Sequence, residues 1–530
     1  MLPHLPLHDS EFLTALLLEF RRSMRGLFVD LCDELETLYG GQTKLLRLPV
    51  RYFRFLGDRL RGEDYAGWKI VGWIEEINDL VYFMDLRAQL RRERDPAEFA
   101  EALFLECERQ FYENSYLDDL FPRGRPEAAG LPGRLQTLCA HLARQVTQES
   151  LLLVPGLSCV WLAQTGGSQW TVPADLRANF ERAELPGRLY FGLVGACLEP
   201  SVSIRQALVR QDWQARLQIR RQGMGLQVGR RVIPFLTCRG GESQHLWREV
   251  PPCIISPANA EGHEGVTLGS TLVYGRDRTP RSVVASSPDL VERLQTALAV
   301  IRDAWPAGAK LLATLTSRLV PLRARGVVSF SYRHRPGLSF INLSDRDQLD
   351  LIDDLVHENS HHHLNLLLRK YRLFDDDRTE EIFYSPWRRS LRPLRGILHA
   401  TFTFTMGALL FDRLSAWGAS GTRRAASGKA ALTDQQLLRA RFRCLEEIDS
   451  VRYSLRDLDY AGQELGWMSA AGKSLVDSLR REMDRVRKRI APYVRVVLRS
   501  RQGAELRRHR RELVKARKTY GPRRSYENSS

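Results

Sequence analysis

The stretch that decides how this chain is read is Asp347-Gln348-Leu349-Asp350-Leu351-Ile352-Asp353-Asp354-Leu355-Val356-His357-Glu358-Asn359-Ser360-His361-His362-His363-Leu364-Asn365-Leu366-Leu367-Leu368. Leu349, Leu351, Ile352, Leu355 and Val356 recur at helical spacing, and the pattern resumes at Leu364, Leu367 and Leu368. Ser344 followed by Asp347 reads as a capping box that starts the helix. Within it lies HExxH, from His357 to His361. Residues four apart share a helix face, so both imidazoles can reach one metal ion, with Glu358 beside them. His362 and His363 point off that face and read as bystanders.

A protein metal site needs at least a third ligand. One HExxH pattern places Gly and His three and six residues after the second histidine; Leu364 and Leu367 stand there, which excludes it. A second pattern places a Glu about twenty residues on, where Glu380 and Glu381 lie. A third candidate is His399, on an apolar helix opened by Pro393. Arg395 is four residues before His399 and shares its face. The rise over that interval, about 6 Å, suits a dicarboxylate that chelates the metal at one end and meets a guanidinium fork at the other.

Two blocks of sequence carry a family resemblance. The first is Leu355-Val356-His357-Glu358 with His361 and Leu364-Asn365. The second is Tyr384-Ser385-Pro386-Trp387-Arg388, then Arg392-Pro393-Leu394, Gly396 and Leu398-His399. In order and spacing they resemble the HExxH-type peptide β-hydroxylases, iron(II)/2-oxoglutarate enzymes that modify ribosomally made peptides (RiPPs). The resemblance covers roughly residues 290–415. It implies His357, His361 and His399 as iron ligands, Glu358 at or beside the metal, and Arg388, Arg392 and Arg395 as candidates for the co-substrate carboxylate. Asn359-Ser360 departs from the family's aromatic-Gln pair, and Ser390-Leu391 from its acidic-Pro pair.

Composition frames the rest. The chain has 530 residues, a 43% hydrophobic share and a net charge of +16. Those values suit a large soluble protein of several regions. The fold expected is α+β and predominantly helical. Residues 1–150 read as helices, from the patterns in Glu11–Tyr39 and Trp68–Leu90. Residues 151–285 turn β-rich and glycine-punctuated, at Leu189–Val194, Leu226–Cys238 and Val266–Tyr274, and could dock a peptide by strand addition. Residues 286–500 form the metal domain. Short strands at Val327–Tyr332 and Ser339–Asn342 deliver the chain to the HExxH helix, and a small-residue linker, Ser420–Gly428, follows the His399 helix. Residues 501–530 read as a basic, disordered tail that could contact an acidic partner. Eight cysteines without a CxxC fit free thiols in a cytoplasmic protein. No signal peptide is read, and the apolar run Gly396–Phe411 is too short for a membrane span.

These readings lead to a cytoplasmic dioxygenase that uses Fe(II), 2-oxoglutarate and O2 on a peptide or protein substrate, with Glu358 in the catalytic centre. The alternative is a zinc peptidase in which His357, His361 and Glu381 hold Zn2+ and Glu358 activates water. A further alternative is a metal-stabilised scaffold that binds peptide or nucleic acid without turnover.

Overall fold

The computed structural model describes residues 5–110, 116–166, 287–419 and 432–521, together with strands and turns at 170–173, 179–180, 189–191, 196–198, 215–228, 230–245, 253–256 and 265–269. The protein is α+β and predominantly helical. The Ser420–Gly428 linker and residues 522–530 lie outside the described residues, as do most of the connections between the middle strands.

The metal helix spans Gln348–Lys370, so the alternation of apolar and polar residues around the motif does form one long helix. Its cap differs from expectation. Asp347, not Ser344, is the N-cap; its side chain accepts from the Asp350 backbone N–H at 3.0 Å, and Asp350 answers to the Asp347 N–H at 3.1 Å. Arg439 reaches both carboxylates, at 2.6 and 3.0 Å, which explains the shift: an acidic pair at this helix start has a cation from another helix to hold it.

A five-stranded mixed sheet lies beside this helix. Its order is Phe330–Ser331, Leu338–Asn342, Arg318–Leu322, Val266–Leu268, Cys253–Ser256; the three central strands are parallel and both edges antiparallel. Every residue of Leu338–Asn342 is buried, as expected of a strand covered on both faces. Two of the five strands, Cys253–Ser256 and Val266–Leu268, come from the region expected to form a separate middle module. The boundary at 285 therefore falls inside a shared sheet. What remains of that module is an antiparallel meander, Trp170–Pro173, Ala215–Arg220, Gly223–Val228, Arg231–Arg239 and Glu242–His245, and a small three-stranded sheet.

The N-terminal helices continue past 150, through Pro155–Thr165. They are not an independent unit, because one hydrophobic core runs from Leu5 to Leu506 and includes the metal helix. Arg369 of that helix pairs with Glu75 at 2.7 Å. Deeper in the same seam, Arg335, 1% exposed, pairs with Glu76 at 2.6 Å and Glu149 at 3.2 Å. Gly72 makes room for it: a Cβ there would lie 1.6 Å from Arg335 Nη1.

Behind the metal helix stand Leu394–Ala419, Asp434–Gln463 and Ala470–Ile490. The Leu394–Ala419 helix is longer than the apolar run that marks it in sequence. It is long and apolar enough to cross a bilayer, yet 72% of its apolar window is buried inside the protein, which is the pattern of a core helix. The basic tail is ordered through Tyr520. Gln502–Tyr520 is a helix with Leu506 and Ala516 buried against the bundle, and Arg510 bridges Asp449 at 2.7 Å. The charge run hides an apolar stripe one residue wide, which is why it reads as solvated. Cys159 and Cys238, expected as free thiols, are joined in a disulfide, whereas Cys32, Cys107, Cys139, Cys253 and Cys444 are not disulfide-bonded.

Candidate metal centre

The two motif histidines and the glutamate come together as the helix periodicity requires. One ligand atom each from His357, Glu358 and His361 lie within 4.8 Å of one another. The His357 and His361 rings are 5.0 Å apart. His399, from the Leu394–Ala419 helix packed against the metal helix, has its ring 6.1 Å from that of His361 and lies outside the group formed by His357, Glu358 and His361.

The electrostatics favour a metal over protons. Burial lowers the His361 pKa well below the usual imidazole value, and His357, His399 and His362 lower it further. Burial also lowers that of His357, against the pull of Asp353. Neutral imidazole is the form that ligates metal. Glu358 is 2% exposed, and burial pushes its carboxyl up to about 8, offset in part by Ser331. Its Oε2 has no hydrogen-bond partner. A buried carboxylate oxygen left unpaired costs on the order of 1–3 kcal/mol or more, and a cation beside it removes that cost. Two imidazoles, a third across from them and an orphaned carboxylate oxygen make a donor set that fits Fe(II) or Zn2+ alike.

The surroundings hold these side chains still. Ser360 Oγ donates to the His357 carbonyl at 2.6 Å, and Thr316 Oγ1 donates to Asn359 Oδ1 at 2.9 Å, tying the motif helix to the chain before the central strand. Phe404 lies 5.1 Å from the His357 ring, and Trp387 stacks on Phe404 at 4.4 Å and 6°. Trp387 Nε1 donates to Glu447 at 2.7 Å; Arg443 joins Glu447 at 3.0 Å and Asp353 at 3.5 Å. Burial raises the Glu447 carboxyl to about 7, with Arg443 and Trp387 drawing it down. This chain of contacts from His357 to Arg443 was not found in the sequence. Trp387 stands within a quoted block, but nothing local links it to Glu447 sixty residues away.

His362 and His363 lie outside the His357–Glu358–His361 group and are buried. His362 meets Ser339 Oγ at 3.0 Å and the Gly337 N–H at 3.4 Å; His363 packs edge-on to Phe402. Burial lowers their pKas to about 4 and about 3.

The arginines sort into different settings. Arg388 lies in the turn of a hairpin, Phe383–Ser385 with Ser390–Arg392, and Arg392 ends its second strand just before Pro393. Arg389 closes that turn at φ 54°, a left-handed conformation unusual outside glycine. Arg395 is engaged by Asp377 in a two-pronged ion pair. Arg392 faces Glu381 at 3.9 Å. Arg388 is exposed, makes no ion pair among the described residues and is near enough to His357 to lower its pKa. Glu381 is 60% exposed, and Glu380 is 53% exposed and near Arg378. Neither belongs to the His357–Glu358–His361 group. No family model and no curated protein matches this chain.

Proposed function

We propose that the chain is a metal-dependent peptide-modifying enzyme, an Fe(II)/2-oxoglutarate dioxygenase that hydroxylates a peptide side chain. The observation that carries the reading is His399 standing against His361 while Glu380 and Glu381 point to solvent. A three-histidine site with a neighbouring arginine is what a chelating co-substrate needs, and the two sequence blocks that resemble peptide β-hydroxylases supply these residues.

His357, His361 and His399 would hold the iron, which when bound with 2-oxoglutarate and O2 supplies the oxidising power for C–H hydroxylation. The protein's own part is positional. Neutral imidazoles keep the site ready for a divalent ion. Arg388, with no competing carboxylate among the described residues, is the best placed of the three arginines to take the far carboxylate of the co-substrate. Arg395 serves better as a strut, because its fork already holds Asp377. Phe404 and Trp387 wall the His357 side and exclude water from it.

One observation favours a second reading, a zinc peptidase. Glu358, with its pKa near 8 and a free oxygen among the imidazoles, has the character of a general base or acid. Anaerobic reconstitution with Fe(II), then measurement of succinate formed from 2-oxoglutarate with and without peptides, separates the two. Succinate formation that depends on iron supports the oxygenase. Peptide cleavage by the zinc form, with no succinate from the iron form, overturns it.

A further inference from the structure

Most of this protein's net positive charge is concentrated near one end of the chain. From Arg480 to Lys518 there are sixteen Lys and Arg against four Asp and Glu, a net +12 of the chain's +16. The Gln502–Tyr520 helix divides its share between two faces. Inward, Arg510 pairs with Asp449, and Arg517 with Asp457 and the Tyr453 ring. Outward, Arg507, Arg508, Arg511, Lys515 and Lys518 are exposed. Arg511, Lys515 and Lys518 make no ion pair among the described residues, and Val514 lies among them 59% exposed. Positions 511, 514, 515 and 518 form a single stripe, since they are spaced three and four apart.

This helix is attached to the metal centre. Tyr520 stacks on Tyr384 of the site hairpin at 5.1 Å and 4°, and Arg389 of the hairpin turn meets Glu512 at 3.5 Å. The same turn carries Trp387, which stacks on Phe404 beside His357. Helix phase puts Tyr520 about 170° round from the stripe and Glu512 about 100°, so the stripe lies on the helix that braces the hairpin and meets the hairpin only along its Glu512–Arg389 edge.

We propose that the outer face of the Gln502–Tyr520 helix, continued by Arg389, is the docking surface for an acidic polypeptide segment of the substrate, next to the residue to be modified. The inference rests on the reading of the site as a peptide-modifying centre. Cations interleaved with an exposed valine suit a partner that carries acidic and apolar side chains together. Single-stranded nucleic acid would ask for a series of open aromatic faces on which bases stack, and this helix carries one Tyr, Phe or Trp, Tyr520, with one face covered by Tyr384. A membrane would ask for a broad apolar face, where this stripe offers Val514. Long-range attraction would also speed capture and weaken with salt.

The test uses the full chain without metal. Fluorescence anisotropy is followed with a labelled peptide of Glu, Asp, Leu and Ser, against oligouridylate of equal length and phosphatidylserine vesicles. The peptide should bind most tightly, and affinity should fall about tenfold or more in the triple variant Arg511→Glu, Lys515→Glu, Lys518→Glu, through loss and reversal of three exposed charge contacts. The control Arg91→Glu, Arg92→Glu, Arg94→Glu has the same charge change on exposed residues of another region and should stay within about twofold. Circular dichroism verifies the helices of both. Tighter binding of oligouridylate or vesicles, no peptide binding at low salt, or equal loss in both variants overturns the proposal. Peptide binding that behaves as expected, with no succinate formed by the iron-loaded protein, removes the oxygenase reading and leaves the surface. Turnover with an unchanged KM in the stripe variant removes the surface and leaves the oxygenase.

Discussion

Replacing Arg335 by Met tests whether the N-terminal helices and the metal domain are one cooperative unit. Arg335 follows the edge strand that carries Ser331, and it is joined to Glu76 and Glu149 at 2.6 and 3.2 Å with all three side chains at most 9% exposed. Methionine fills much the same volume but leaves two buried carboxylates facing each other. Removing one partner of such a cluster costs about 3–5 kcal/mol. The lower end applies here: burial and the neighbouring Glu149 already hold the Glu76 carboxyl well above its usual value. We therefore expect a loss of about 3 kcal/mol in urea-induced unfolding at neutral pH. Adding Glu76→Gln and Glu149→Gln to the same chain should return most of it, since the uncompensated charge is then gone. The site should feel the single change as well. The Arg335 carbonyl accepts from the Leu338 N–H, and Gly337 in the same turn donates to His362 on the metal helix. Metal affinity in Arg335→Met should drop, though less than on loss of a ligand. A single variant within about 0.5 kcal/mol of the parent, or separate unfolding transitions for the two regions in the parent, would refute the cooperative unit.

Four further outcomes are expected. His357→Ala and His361→Ala should each abolish binding of a divalent metal, by elemental analysis, and keep most of the helical circular dichroism; full occupancy in either would sink the site. His399→Ala should lose iron whereas Glu381→Ala retains it, and the reverse result would hand the site to the peptidase reading. Arg388→Ala should raise the apparent KM for 2-oxoglutarate roughly thirty- to a hundredfold, as about 2–3 kcal/mol of charge-assisted contact is lost, with iron still bound; Lys at 388 should rescue in part. Glu447→Gln should flatten the pH dependence of metal-free stability. The folded carboxyl is raised to about 7 from 4.5, so its contribution is fully present below about pH 4.5 and is lost as pH rises through about 7. Urea titrations at pH 5 and pH 8 should differ less in the variant than in the parent.

How much of this was legible in sequence depends on the range of the interaction concerned. The motif helix, its two histidines on one face and the apolar helix bearing His399 follow from periodicity alone, because helix geometry is local. The short strands before the motif were legible for the same reason. The capping box was placed three residues early, since Ser344 and Asp347 are equally good caps until Arg439, from a distant helix, is seen to hold Asp347 and Asp350. Across the expected boundary at 285, a parallel sheet pairs strands far apart in the chain: Val266–Leu268 next to Arg318–Leu322, and that next to Leu338–Asn342. No composition change marks such pairing.

The arginines show the same limit at the scale of the site. Helix phase puts Arg395 on the face of His399, and that reasoning is sound as geometry. It says nothing of Asp377, eighteen residues earlier, which claims the guanidinium first. A side chain's reach can be read from spacing, but its availability depends on every other charge that can reach it. The co-substrate carboxylate must win against such competitors, and the energy favours the cation with the fewest. Arg392 has Glu381 at 3.9 Å, Arg395 has Asp377 at bonding distance, and Arg388 has no acidic partner among the described residues. Displacing Asp377 would cost a charge-assisted contact of about the same worth as the one gained, so binding at Arg395 would be nearly neutral. Binding at Arg388 exchanges only water for carboxylate. The Arg388→Ala and Arg395→Ala variants therefore differ in kind: the first should weaken co-substrate binding alone, whereas the second should free Asp377 and lower stability at unchanged KM. Equal rises of KM in both would mean that Asp377 yields its partner on binding, and the assignment of Arg388 as the carboxylate clamp would fail.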